Sequence, residues 1–332
     1  MTQVRWGLVS TANINRRLIP AIRQSARGEL VGVASRSPAS AEAYAAKWEI
    51  PRAFGSYQAM LESDDIDAVY ISLPNHLHAE WSIKALQAGK HVLCEKPFAL
   101  SLDEVDEMIA TAESTGSILA EAFMYRHHPQ TKLIGEWVKN GRLGEITLIR
   151  ATFNFDISSD PDNVRLVPEY GGGCLWDVGV YPISLAQFLM GRLPDWVAGS
   201  QWLGHNGVDE VFSGHLHYAT EHGGCAAQIS ASFRTPWHTF AEILGTNGRL
   251  ALNRPFVGVE DGQRYLTFYP REGEPEEIPV YSKDLYLGEV EDMHDAILEG
   301  AATYISLEET RNHVQTVLAL YEAAASGQIV VM

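Results

Sequence analysis

The chain has 332 residues, 46% hydrophobic and 20% charged, and carries a formal net charge of −17. That length favours two domains over one, and the strong negative charge argues against nucleic acid or an anionic membrane surface as partner. Its three cysteines, Cys94, Cys174 and Cys225, are scattered and form no CxxC pair, which reads as free thiols in a reducing compartment. With no apolar signal core after Met1 and no apolar run of membrane-spanning length, the expected location is the cytoplasm.

The first third alternates short apolar runs with helical spacing. Val4 to Ser10 reads as a strand, followed by a polar break and by Leu18, Ile19 and Ile22 at helical spacing. Leu30–Ala34, Asp67–Ile71, His91–Leu93 and Ile118–Ala120 read as further strands; Ala39–Trp48, Leu77–Ala88 and Leu102–Ala112 read as helices. Strands and helices alternating at these lengths predict βαβ units, right-handed crossovers and a doubly wound parallel sheet. After about residue 145 the pattern changes. Ile146–Phe155, Gly214–Tyr218, Cys225–Phe233, Thr239–Leu244 and Tyr265–Tyr269 are strand-like and joined by turns, which predicts a mostly antiparallel sheet. Leu285–Glu299 and Leu307–Ala325 read as closing helices. The expected fold is α/β: a Rossmann domain over 1–123 and an α+β domain with a large open sheet over 124–332.

The turn after the first strand is where such a fold places a dinucleotide pyrophosphate. Here it reads Ser10, Thr11, Ala12, Asn13 and Ile14, with Ser10, Ala12 and Asn15 where glycines are usual. The case rests on position: small residues permit close backbone approach, and a helix N-terminus favours an anion. At the end of the second strand, Ser35 and Arg36 stand where an acid would bind the ribose of NAD. A hydroxyl and a guanidinium suit a 2′-phosphate instead, so NADP is favoured over NAD. A solvated surface arginine is the competing reading.

Four segments then carry a resemblance. They are Leu73-Pro74-Asn75-His76-Leu77-His78, Gly89-Lys90-His91-Val92-Leu93-Cys94-Glu95-Lys96-Pro97, Ala122-Phe123-Met124-Tyr125-Arg126, and the run from Gly171 to Tyr181. Together they resemble the glucose–fructose oxidoreductase/inositol dehydrogenase/MocA family over essentially the whole chain. Tyr181 stands where many members have histidine. With Asn163-Val164-Arg165-Leu166-Val167-Pro168 it resembles the branch of D-xylose dehydrogenases and dimeric dihydrodiol dehydrogenases.

The resemblance implies hydride transfer between NADP or NAD and a sugar or polyol, a D-xylose-type aldose in the first instance. It places Lys96, Tyr181 and Asp177 in catalysis, and Lys96, Asn163, Asp177 and Tyr181 against substrate. Ser10 to Ile14, Ser35, Arg36, Leu73, Pro74, Asn75, His78, Glu95, Lys96, Arg165 and Tyr286 fall to the cofactor. Arg165 could equally touch a sugar hydroxyl, and Tyr286 could simply be packed. A phenol titrates at about 10, too high for an efficient base, and a lysine ammonium beside it lowers that value. If regular helix runs through Asp177 and Tyr181, the two share a face at i and i+4; Asp177 would then orient Lys96 or accept a sugar hydroxyl.

His215 and His217 share one face of a strand, but no third ligand accompanies them, and no metal is expected. An open apolar sheet face would need a cover, and family members cover it by dimerising; a homodimer or dimer of dimers is expected. Two rival functions remain: a dihydrodiol dehydrogenase or anhydro-sugar reductase on the same scaffold, and a nucleotide-binding sensor without turnover.

Overall fold

A computed structural model describes residues 2–221, 223–257, 264–281 and 284–332. Packing divides the chain into two compact units, Met1–His127 with Tyr286–Arg311, and His128–Leu285 with Asn312–Met332. The sequence suggested a single cut at 123/124. The difference lies in the tail, where Tyr286–Arg311 is counted with the first unit.

In the first unit the elements are β1 (Val4–Val9), α1 (Asn15–Gln24), β2 (Gly28–Ala34), α2 (Pro38–Trp48), β3 (Arg52–Phe54), α3 (Tyr57–Leu61), β4 (Ala68–Ile71), α4 (His78–Gln87), β5 (His91–Glu95), α5 (Leu102–Thr115) and β6 (Leu119–Ala122). The six strands are parallel, in the order β3-β2-β1-β4-β5-β6. β4 is buried at every residue, as a strand covered on both faces must be. The strand order reverses between β1 and β4, the switch point at which doubly wound sheets bind ligands. β3 and α3 escaped the sequence reading because they are too short to show a period. In the tail, His294 is fully buried; its Nε2 accepts the Trp6 indole N–H at 2.9 Å and its Nδ1 lies 3.1 Å from the Ser25 hydroxyl. Arg27 pairs with Glu291, and with Asp295 at 2.6 Å, fixing the same tail to the turn before β2.

The second unit contains α6 (Pro129–Lys139), β7 (Ile146–Asp156), α7 (Val180–Met190), β8 (Trp196–Leu203), β9 (Asp209–Tyr218), β10 (Cys225–Ser232), β11 (Arg234–Gly245), β12 (Gly248–Leu252), β13 (Arg264–Pro270), β14 (Glu276–Val280) and β15 (Val330–Val331). Helix α8 (Leu287–His294) belongs to the first unit, and α9 (Leu307–Ser326) follows it. The nine strands form one sheet, β14-β13-β12-β11-β7-β10-β9-β8-β15, antiparallel except for the β7–β10 pair. Ile149, Ala151 and Phe153 alternate with Arg150, Thr152 and Asn154 along β7, so one face is core and the other is not.

That other face is more polar than expected. Glu242 binds Arg150 at 3.0 Å and Arg249 at 3.1 Å, and Trp196 stacks on both His215 and His217, with centroids 5.3 and 4.9 Å away. The two histidines are thus ring partners of a tryptophan. Among the described residues no cluster of metal-ligating side chains occurs, and no helix is long and apolar enough to cross a membrane. The three cysteines are free and buried.

Candidate active site

In the first unit the β1–α1 turn is built around Ser10. Its φ of 133° lies where glycine is at ease and other residues are strained. The hydroxyl offsets this by lying 2.8 Å from the Ser72 hydroxyl and accepting the Ala12 N–H at 3.1 Å. Buried Asn15 closes the turn, donating to the Ser10 carbonyl at 2.8 Å and accepting from Ser72 at 2.7 Å. The loop therefore has the path of a glycine turn without the glycines. Ile14, at the N-cap of α1, supplies no side-chain cap, so the helix end suits a phosphate. Thr11, Ala12 and Ile14 are half-buried around it and Asn13 is exposed. At the end of β2, Ser35 is buried, with its hydroxyl accepting the Ser37 N–H at 3.3 Å, and Arg36 is exposed. The Arg36 guanidinium lies close enough to Tyr57 to restrain a phenol pKa that burial raises. This geometry fits a dinucleotide.

Leu73 is buried, and Pro74 and Asn75 are half-buried at the mouth of the next loop. His78 is buried between two carbonyls, Pro97 O and Leu73 O, each at 2.8 Å. A neutral imidazole can donate to only one of them; burial lowers the pKa of the ring while both carbonyls oppose that shift. His78 thus ties the loop after β4 to the loop after β5, which carries Lys96. Tyr70, fully buried on β4, donates its hydroxyl to Glu95. Tyr286 is buried in the same unit, its phenol pushed up by burial and by Glu95 and Glu289, against Arg17 and Arg16.

In the second unit the three glycines form the frame. The Gly172 and Gly173 amides donate to Val167 O and Arg165 O at 3.1 and 3.0 Å, drawing Arg165 against the run. A Cβ on Gly172 would stand 2.6 Å from Arg165 O. Gly173 has φ 124°, and a Cβ there would fall 2.0 Å from an Asp209 carboxylate oxygen. Leu175–Gly179 is a π-turn leading into α7. The regular i/i+4 repeat expected for Asp177 and Tyr181 therefore does not apply. Asp177 instead accepts from Arg165 Nε at 2.6 Å, with the arginine side chain 43% exposed. Asp177 holds the Arg165 guanidinium charged more firmly than usual, against burial, and Tyr181 adds to the effect. Asn163 caps the turn below, accepting the Arg165 N–H at 3.1 Å.

Tyr181 is buried among rings: Phe153 at 5.2 Å and Phe256 at 5.6 Å between centroids, with Trp237, 61% exposed, at 5.3 Å from Phe153. Asp209 on β9 supports the turn. It accepts Leu175 N–H at 2.8 Å, the Cys174 thiol at 3.1 Å and the Tyr321 hydroxyl at 2.7 Å. Sequence reasoning missed Phe153, Trp237, Phe256 and Asp209; each sits in an unremarkable strand or turn, and nothing local marks it.

Residues 4–123 match the profile of the Gfo/Idh/MocA oxidoreductase family, NAD-binding Rossmann fold, and residues 131–251 match the family's C-terminal domain. The chain belongs to the Gfo/Idh/MocA oxidoreductase family. It is similar to a D-xylose 1-dehydrogenase (NADP(+)) of Haloferax volcanii, 37% identical over 98% of each chain. It is also similar to a trans-1,2-dihydrobenzene-1,2-diol dehydrogenase of Xenopus tropicalis, 32% identical over 74% of this chain and 73% of that one. Among solved structures, a 3-ketoreductase from Actinomadura kijaniata in complex with NADP and TDP-benzene superposes with a TM-score of 0.88, at 30% identity over 97% and 98% of the two chains. This family member is therefore a dinucleotide-dependent oxidoreductase of sugar-type substrates, as its four motif segments implied.

Proposed function

We propose that this chain is an NADP-linked dehydrogenase or reductase of a D-xylose-type aldose, with Tyr181 as acid/base and Lys96 as its supporting cation. The observation that carries the reading is the placement of Tyr181. Its ring is walled by Phe153 and Phe256, and the Arg165–Asp177 pair belongs to the same turn. A phenol in such surroundings can take the proton of a sugar hydroxyl, with a nearby cation stabilising its phenolate form. Asp177 can accept a second sugar hydroxyl, oriented by Arg165 and backed by Asn163. The nicotinamide, when bound, takes or returns the hydride.

NADP rather than NAD is supported by Ser35 and Arg36 at the end of β2, and by the cofactor in the name of the Haloferax relative. Ser10 to Ile14, Leu73, Pro74, Asn75, His78, Glu95 and Tyr286 are assigned to binding it or to shaping its loops. Cytoplasmic location and a homodimer through the open sheet face complete the reading. The exposed Trp237 beside Phe153 favours a second substrate class, an aromatic dihydrodiol, which is what the Xenopus relative is named for. A screen of aldoses, polyols and dihydrodiols, read by NADPH absorbance, tests both. Turnover of D-xylose well above that of the diols is expected; turnover of none would sink the aldose reading.

A further inference from the structure

Lys96 lies in the loop after β5, and two carbonyls of that loop are held in place. The His78 ring meets Pro97 O at 2.8 Å, and the Cys94 thiol donates to Phe98 O at 3.7 Å. Pro97 and Phe98 are buried, while Glu95 and Lys96 are half-buried. Glu95, the last residue of β5, is held from the neighbouring strand. Parallel pairing sets Tyr70 of β4 beside Leu93 of β5, and Glu95 stands two residues further on. Side chains along a strand repeat every second residue, so Tyr70 and Glu95 share one face of the sheet. There the Tyr70 hydroxyl donates to the Glu95 carboxylate.

The hydroxyl is out of character with its strand. β4 is buried at every residue, and its other members are Ala68, Val69 and Ile71. Phenylalanine would satisfy such a strand, whereas a buried hydroxyl is costly unless it is hydrogen-bonded. Donation to a carboxylate is the strong form of that bond. Burial, and after it the charge of Glu95, push the Tyr70 phenol well above its ordinary pKa, so it stays a proton donor at neutral pH.

We propose that Tyr70 is a positioning residue for Lys96: by holding the Glu95 carboxylate it fixes the residue from which the Lys96 backbone continues. A lysine needs such help, because its charge rides on a flexible four-carbon stem. A catalytic group misplaced by about 1 Å can lose about 10²-fold in rate. With Glu95 held by Tyr70 and Pro97 by His78, Lys96 is anchored on both sides in the chain. The inference rests on the reading of Lys96 as the supporting cation, and the test separates the two.

The test is a double-mutant cycle read in kcat. The full chain, Tyr70→Phe, Lys96→Met and the double variant are assayed with NADP saturating and with the fastest substrate of the aldose, polyol and dihydrodiol screen. Tyr70→Phe adds no atom and leaves no buried donor behind, so it should fold; thermal unfolding checks this in both backgrounds. It should lower the parent's kcat by about 10–100-fold. It should leave the kcat of Lys96→Met within about twofold, since no ammonium remains to be positioned. An equal loss in both backgrounds would make Tyr70 merely structural, and no loss in the parent would overturn the proposal. Parental kcat in Lys96→Met would overturn the reading of Lys96 itself, and the proposal with it. Glu95→Ala opens the same bond from its other end, so Tyr70→Phe should lower the kcat of that variant no further. A full further loss would mean that the hydroxyl does not act through Glu95.

Discussion

The backbone N–H of Leu175 donates to the carboxylate of Asp209 at 2.8 Å, across 34 residues of sequence. The contact caps, from a neighbouring strand, the helical turn that carries Asp177 and leads to Tyr181. That turn has no side-chain cap of its own, and a carboxylate at a helix N-terminus meets both its free amides and its dipole. Cys174 and Tyr321 supply the remaining donors, so the buried carboxylate can stay ionised.

Asp209→Ala would strand these donors and should destabilise the fold by about 2–4 kcal/mol, with a matching loss of turnover through Asp177 and Tyr181. Urea unfolding and steady-state kinetics measure the two. Unchanged turnover in a folded variant would show that the cap does not position the site.

The same carboxyl makes stability depend on pH. Burial raises its pKa above the ordinary 3.8, against the pull of Tyr321, Cys174 and Leu175. A carboxyl whose folded pKa is raised contributes most below its unfolded pKa, and that contribution is lost as pH climbs through the folded value. Ionisation of Asp209 thus costs stability at neutral pH. From about pH 3 to about pH 7, Asp209→Asn should gain on the parent in urea unfolding; a difference constant across that range would contradict the raised pKa.

Tyr181→Phe retains the ring and its contacts with Phe153 and Phe256, so cofactor affinity should survive while kcat falls by about 10²–10⁴. Lys96→Met should lower kcat as well. Because the two act as a unit, the double variant should be far less impaired than the product of the single effects. Near-normal kcat in Tyr181→Phe would shift the acid/base role to Lys96.

Arg36→Ala should weaken NADP selectively, by about 1–3 kcal/mol for a lost charge-assisted contact, and leave NAD affinity nearly unchanged. Titration of both dinucleotides decides it. Equal losses would mean that the guanidinium serves Tyr57 and not a 2′-phosphate.

Ser10 separates backbone strain from hydrogen bonding. Ser10→Ala keeps φ at 133° and loses the bonds to Ser72 and Ala12, so it should cost about 1–3 kcal/mol. Ser10→Gly loses the same bonds but relieves the strain, and should lie within about 1 kcal/mol of the parent. If glycine proves worse than alanine in chemical denaturation, the turn is not strained.

Sedimentation at micromolar concentration should show a dimer or larger. A persistent monomer would mean that the open face, with its Arg150–Glu242–Arg249 network, is content in water.

Periodicity and turn residues determined much of this protein without the structure. The alternation of strands and helices to residue 123, the change to turn-linked strands near 145, and the four motif segments each depend on residues close in the chain. Local spacing encodes those features directly. What it misjudged was local too: a regular helix would put Asp177 and Tyr181 on one face, yet Leu175–Gly179 is a π-turn and Asp177 pairs with Arg165.

Tertiary structure alone decided the rest. It set Asp209 under the active-site turn, packed Tyr181 against rings from two other segments, and joined Trp6 to His294 across 288 residues. Such contacts have no spacing to read. They arise when packing brings distant residues together, and burial then makes each unpaired donor or charge find a partner or stay costly.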